Sequence, residues 1–157
     1  KGNAQRYVPV YRHYDSNRSL EPLVQNYIEQ YLGQFPAQVF DKINENFIRC
    51  SFYELVSRYL SSCYTFAIEQ NNSVGRPDFE MTGIPGTDYY TDDRVVEFKY
   101  YRMKEAEKML ALSEPLPEHV EQVKRYGEDT KKKFPNYNVR TYVVYICANK
   151  GWKCWEV

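Results

Sequence analysis

The segment Val95-Val96-Glu97-Phe98-Lys99 constrains this chain more than any other. Its apolar, β-branched content reads as a strand of a buried sheet, yet it carries an acid and a base. Side chains alternate along a strand, so Val96 and Phe98 point to one face while Glu97 and Lys99 share the other. Taking a carboxylate or an ammonium out of water costs on the order of several kcal/mol unless it is paired or bound to a metal. Whatever surrounds this strand has to compensate both charges.

The flanking pattern groups strands into runs set between helices. Residues 1–18 are polar and rich in Tyr and Arg, and read as a tail or linker ahead of one domain over 19–157. Ser19 is a candidate cap for a helix from about Leu20 to Gln34, with Leu23, Tyr27 and Tyr31 at four-residue spacing. Phe35-Pro36 ends it. A longer helix is expected from Ala37 to Ser62, with a bend near Ser51. Strands follow at 64–69, 76–82 and 94–101, joined by turn-rich segments into a meander. Helices at 104–112 and from Pro117 to Lys133 come next, the second started by proline and ended by Phe134-Pro135-Asn136. Residues 139–148 and 152–157 form the last two strands around an Asn149-Lys150-Gly151 hairpin turn. The order α-β-β-β-α-α-β-β predicts an α/β fold, a mixed sheet with helices on both sides.

Composition excludes several classes. With 21 Lys+Arg against 21 Asp+Glu, no global positive field marks a nucleic-acid binder, so any such field is local. Lys131-Lys132-Lys133 is the densest basic run, and a solvated helix end accounts for it. The four cysteines form no C-x-x-C pair and only two histidines exist, which argues against zinc. Cys147 and Cys154 flank the hairpin and are candidates to face one another; reduced thiols in a cytoplasmic protein are the expectation. His13 and His119 have no catalytic neighbours in sequence and read as surface residues. No apolar run is long enough to span a membrane, and no signal peptide is visible. The chain starts at Lys1 and reads as the C-terminal part of a longer protein.

Upstream of the acidic strand stands Gly75-Arg76-Pro77-Asp78. Asp78 and Glu97, on neighbouring strands, are candidate metal ligands. Mg²⁺ prefers carboxylate oxygens and keeps several waters, and the Phe98 carbonyl can complete such a set. A metal held there polarises a phosphoryl oxygen and activates a water. Lys99 points into the same pocket, where it can steer that water or stabilise charge developing on phosphate. A solvated edge strand whose Glu97 and Lys99 pair with each other is the plainer alternative for the E-x-K alone. Glu69 and Glu80 are secondary candidates for the acidic cluster. Tyr89, Tyr90, Tyr100 and Tyr101 are candidates to stack on bases, with packing the plainer role for most.

Asp78 followed by Glu97-Phe98-Lys99 resembles the PD-(D/E)XK nuclease superfamily, down to the Pro77-Asp78 dipeptide. The stretch is similar, over roughly residues 40–157, to RecB-like nuclease domains found behind AAA-type ATPase-like domains in bacterial proteins. Asn44-Glu45-Asn46-Phe47 resembles the helix motif N-E-x-F of that group. The resemblance implies that Glu45 supplies a third acid, ahead of its rival Glu54. Glu45 shares a helical stripe with Ile48, Phe52 and Val56. Gln122-Val123-Lys124-Arg125-Tyr126 is similar to the Q-x-x-x-Y element, and residues four apart share a helix face. Gln122 and Tyr126 are thereby implied to approach the site or the nucleic-acid backbone; Arg76 is a candidate phosphate contact, with neutralising nearby acids the plainer role.

The resemblance implies a restriction-endonuclease-like αβββαβ core and metal-dependent phosphodiester hydrolysis with Mg²⁺ or Mn²⁺. Nucleic acid, with DNA expected, would be the substrate, and an N-terminal ATPase-like domain a partner in the full-length protein. The alternative is a nuclease-fold module of weak or no activity that binds nucleic acid or protein on behalf of such an upstream domain.

Overall fold

The computed structural model describes residues 18–69 and 76–157. The His13 reading, the tail up to residue 17 and the turn expected at 71–75 lie outside the described residues. The architecture is α/β, one five-stranded mixed sheet with helices on both faces.

The first helix, α1 (Glu21–Asn26), runs on through a π turn (Tyr27–Tyr31) and a 3-10 turn (Leu32–Gln34). Leu23 and Tyr27 are buried, as their spacing requires. The Ser19 hydroxyl accepts from Glu21 N–H at 3.3 Å, although the capping position itself is Leu20. The long helix expected over 37–62 is two pieces. A 3-10 turn covers Ala37–Asp41, and α2 begins only at Glu45 and runs to Leu60. The break is local chemistry: Asn44 is extended (φ −142°, ψ −179°) and its side chain accepts from Phe47 N–H at 2.9 Å. That bond starts a new helix at the site-bearing residues. Helix α2 continues without interruption past Ser51, whose hydroxyl bonds back to the Phe47 carbonyl at 2.7 Å.

Strands β1 (Tyr64–Ile68), β2 (Phe79–Gly83) and β3 (Asp92–Tyr101) form the expected antiparallel meander. Strand β2 is shorter than its sequence pattern, so Asp78 stands just ahead of it. Helices α3 (Met103–Leu110) and α4 (Pro117–Lys133) cross back to β4 (Asn138–Cys147), which runs parallel to β3. Strand β5 (Gly151–Glu156) closes the sheet as an antiparallel edge, in the spatial order β1-β2-β3-β4-β5.

Strand alternation separates two cores. Phe79, Met81, Val96, Phe98, Tyr142, Val144 and Ile146 pack under α1 and α2 around Phe52, whose ring meets Phe79 and Phe98 at 5.0 and 5.2 Å. Val95, Val143, Tyr145 and Cys147 pack under α3 and α4 with Ala106, Met109, Val123 and Tyr126. Gly127 lets α4 lie close to the sheet, since a Cβ there would stand 2.7 Å from the Thr141 methyl. Cys147 lies opposite Gly151 and Cys154 opposite Val144, and the two thiols belong to different cores. They therefore do not face one another, and all four cysteines are free.

Candidate active site

The register of β2 on β3 gathers the acids. Phe79 pairs with Val96, so Asp78, one residue earlier, lies beside Glu97, one residue later. Both are deeply buried, at 7% and 2% exposure. Asp78 Oδ2 accepts from Phe98 N–H at 2.8 Å, which ties the loop ahead of β2 to the middle of β3. Its Oδ1 accepts from Arg49 Nη1 of α2, also at 2.8 Å.

Glu97 is less well provided. Its Oε1 stands 3.4 Å from Lys99 Nζ, while Oε2 is buried with no hydrogen-bond partner. Burial, and next the charge of Asp78, push its carboxyl up to about 8, against a smaller pull from Lys99. Burial alone would lower the Lys99 ammonium; Glu45, Glu97 and Asp78 together outweigh it and raise it. Glu45 opens α2 and reaches over β3, its Oε1 accepting from Tyr100 N–H at 3.4 Å. Glu54 is exposed on the far side of that helix. The fold thus brings Asp78, Glu97, Lys99 and Glu45 into one neighbourhood at the start of α2.

Depressions open beside Glu45 and beside Pro77, the residue before Asp78. One, of about 360 Å³, is walled by Glu45, Asn46, Arg49, Tyr100 and Arg102. The other, of about 230 Å³, lies between β1–β2 and α4 and is walled by Arg76, Glu80, Tyr126 and Lys133. Gln122 donates to the Tyr126 hydroxyl at 3.1 Å, so the Q-x-x-x-Y pair is internally bonded, with Tyr126 on the wall. Arg76 is exposed there.

The secondary acids separate. Glu69 is buried at the end of β1, its N–H donating to the Asp78 carbonyl at 3.2 Å. Glu80 belongs to a different pair: it accepts from Thr130 of α4 at 2.9 Å and neighbours Asp93. Asp93 is fully buried, accepts from Thr82 at 2.9 Å, and keeps Oδ1 without a partner. Burial, and then Glu80, push its carboxyl up to about 9. Tyr89 packs on Tyr64 and Tyr101 on Tyr145, while Tyr90 is exposed with its ring 5.7 Å from that of Tyr137.

His119 corrects the surface expectation. It is 9% exposed, and its Nδ1 bonds the hydroxyl of Tyr145, the residue paired with Lys99 across β3 and β4. Burial, followed by the charge of Lys99, lowers its pKa. One helical turn separates His119 from Gln122, a spacing that places both on the sheet-facing side. Arg49 was equally hidden as one charge in a mixed helix; its position four residues after Glu45 was the available signal.

A hard divalent cation fits the donors present. Glu97 Oε2 is buried and Asp78 stands beside it as a second carboxylate that pushes the Glu97 carboxyl up, a crowding of acids that a divalent cation would relieve. Among the described residues no group of three or more acidic, His or Cys side chains closes to metal-binding spacing. A two-carboxylate set suits Mg²⁺, which keeps several of its waters. No helix among the described residues is long and apolar enough to cross a membrane. No curated protein matches the chain closely enough to be a relative. The family model of the PD-(D/E)XK nuclease superfamily matches residues 43–156, a span that contains α2, all five strands, Asp78 and the Glu97-Phe98-Lys99 strand. On that match, and with the mixed sheet that joins its acids, the chain belongs to the PD-(D/E)XK nuclease superfamily.

Proposed function

We propose that this domain hydrolyses phosphodiester bonds in nucleic acid, with DNA the expected substrate. The observation that carries the reading is the buried juxtaposition of Asp78 and Glu97 with Lys99 3.4 Å from Glu97. Asp78, Glu97 and the Phe98 carbonyl would hold Mg²⁺ or Mn²⁺, with Glu45 as the outer acid. Such an ion, when bound, polarises a phosphoryl oxygen and lowers the pKa of a water. Lys99 then contributes a fixed positive charge toward the reacting phosphate, held in its charged form by the three acids. Asp78 is kept oriented by the Phe98 N–H. The cations placed to meet a phosphate backbone are Arg102 in the groove beside Glu45, and Arg76 and Lys133, which share their depression with Glu80 and Asp129. Gln122 and Tyr126 support the site from α4.

The test is incubation of the purified domain with single- and double-stranded DNA in Mg²⁺, in Mn²⁺ and in EDTA, beside Lys99→Ala. Metal-dependent cleavage that the variant lacks supports the reading. Equal cleavage by both proteins refutes the role of Lys99.

A second reading has its own support. Arg49 already neutralises Asp78 in a buried ion pair, an arrangement that also suits a nuclease-fold module serving an upstream RecB-type, ATPase-like partner as a binding domain. Metal-independent nucleic-acid binding without turnover would favour it.

A further inference from the structure

The Arg49–Asp78 pair is buried on both sides, with side chains 7% and 10% exposed. Arg49 Nη2 donates to Asn46 Oδ1 at 3.2 Å, while its Nε is buried with no hydrogen-bond partner. A guanidinium satisfied along only part of its fork is costly in a dry site. Burial does not repay that cost, so the charge itself needs an account.

Charge bookkeeping supplies one. Asp78, Glu97 and Glu45 are three acids, and Lys99 and Arg49 are two bases within their field. Fully ionised, the cluster sums to one negative charge. A divalent cation would turn it net positive while Arg49 stays; without Arg49 the same ion would leave it neutral. Arg49 also engages the Asp78 oxygen left over after Phe98 N–H has taken the other. Arg49 is also one of the residues walling the open groove of about 360 Å³ beside Glu45, Asn46 and Arg102, the direction in which a displaced side chain would go.

We propose that Arg49 is a positioning residue that competes with a divalent cation for Asp78. It holds the carboxylate in place until the cation displaces it, and so weakens the site's affinity for that ion. The inference rests on the reading of Asp78 as a metal ligand.

Mn²⁺ binding, measured by electron paramagnetic resonance on the whole domain, tests it in wild type, Arg49→Gln, Arg49→Lys and Asp78→Asn. Removing one adjacent positive charge should tighten Mn²⁺ binding by about tenfold in Arg49→Gln, while Arg49→Lys stays near wild type. In wild-type protein, Mg²⁺ titration should shift or broaden the Arg49 Nε–H resonance as the guanidinium lets go. Unchanged or weaker Mn²⁺ binding by a cooperatively melting Arg49→Gln overturns the proposal. Should that variant not fold, an Arg49 resonance unmoved at saturating Mg²⁺ overturns it instead. Wild-type binding by Asp78→Asn would remove the metal-centre reading itself, and this proposal with it. Lost binding in Asp78→Asn beside an unaffected Arg49→Gln refutes the role of Arg49 alone.

Discussion

Replacing Asp93 by asparagine should raise folding stability by an amount that grows with pH. The carboxyl is fully buried beside Glu80, with Oδ1 unpartnered, and its pKa is pushed up from 3.8 to about 9. The groups acting on it are Glu80 and Thr82 on β2, Arg94 on its own strand and Tyr137 in the loop before β4. Between those two pKa values the folded chain keeps a proton at Asp93 that the unfolded chain releases. The contribution of this group to stability is therefore fully present below about pH 4 and is lost as pH rises toward 9. The slope is about 1.4 kcal/mol per pH unit at most. The amide introduced by Asp93→Asn would imitate the protonated acid, accepting from Thr82 and donating toward Glu80, but has nothing to ionise. The stability difference between variant and wild type should widen by up to about 4 kcal/mol between about pH 5 and pH 8. Urea unfolding of both proteins across that range measures it. Glu97, also raised, is present in both proteins and cancels. A difference that stays flat with pH would refute the reasoning, because it would mean that Asp93 is ionised in the fold.

Phe52→Ala should cost about 3–5 kcal/mol in urea unfolding, since its buried ring meets Tyr27, Phe79 and Phe98; a loss under about 1 kcal/mol would place it outside the core. Asn44→Ala should cost about 1 kcal/mol by removing the cap on α2, and should lower the affinity for Mn²⁺ by loosening the turn that carries Glu45. Gly83→Ala should destabilise by about 1–3 kcal/mol, because a Cβ there would stand 1.6 Å from the Tyr89 carbonyl oxygen; an unchanged melting temperature would contradict that approach.

The periodic parts of the fold were legible in one dimension. The five strands, the Pro117–Lys133 helix and the meander all follow from alternation, proline placement and turn residues, which are local signals. The break before α2 was hidden because Phe40, Ile43 and Phe47 keep a helical spacing across it; the extended backbone of Asn44 decided it. The cysteine pair failed for a related reason. Sequence distance across a hairpin says nothing of register, and a strand's parity sent Cys147 and Cys154 to opposite faces.

By itself the sequence determined that Glu97 and Lys99 share a face and that Glu45, Gln122 and Tyr126 lie on helices. These are consequences of covalent neighbours and helical or strand periods. Only the tertiary structure decided which charges meet. The β2–β3 register set Asp78 beside Glu97, the reach of α2 brought Arg49 onto Asp78, and the packing of α4 buried His119 against Tyr145 and set Thr130 on Glu80. Partners that lie tens of residues apart leave no periodic trace. Their identity follows from how the layers stack, and from the cost of leaving a buried charge alone.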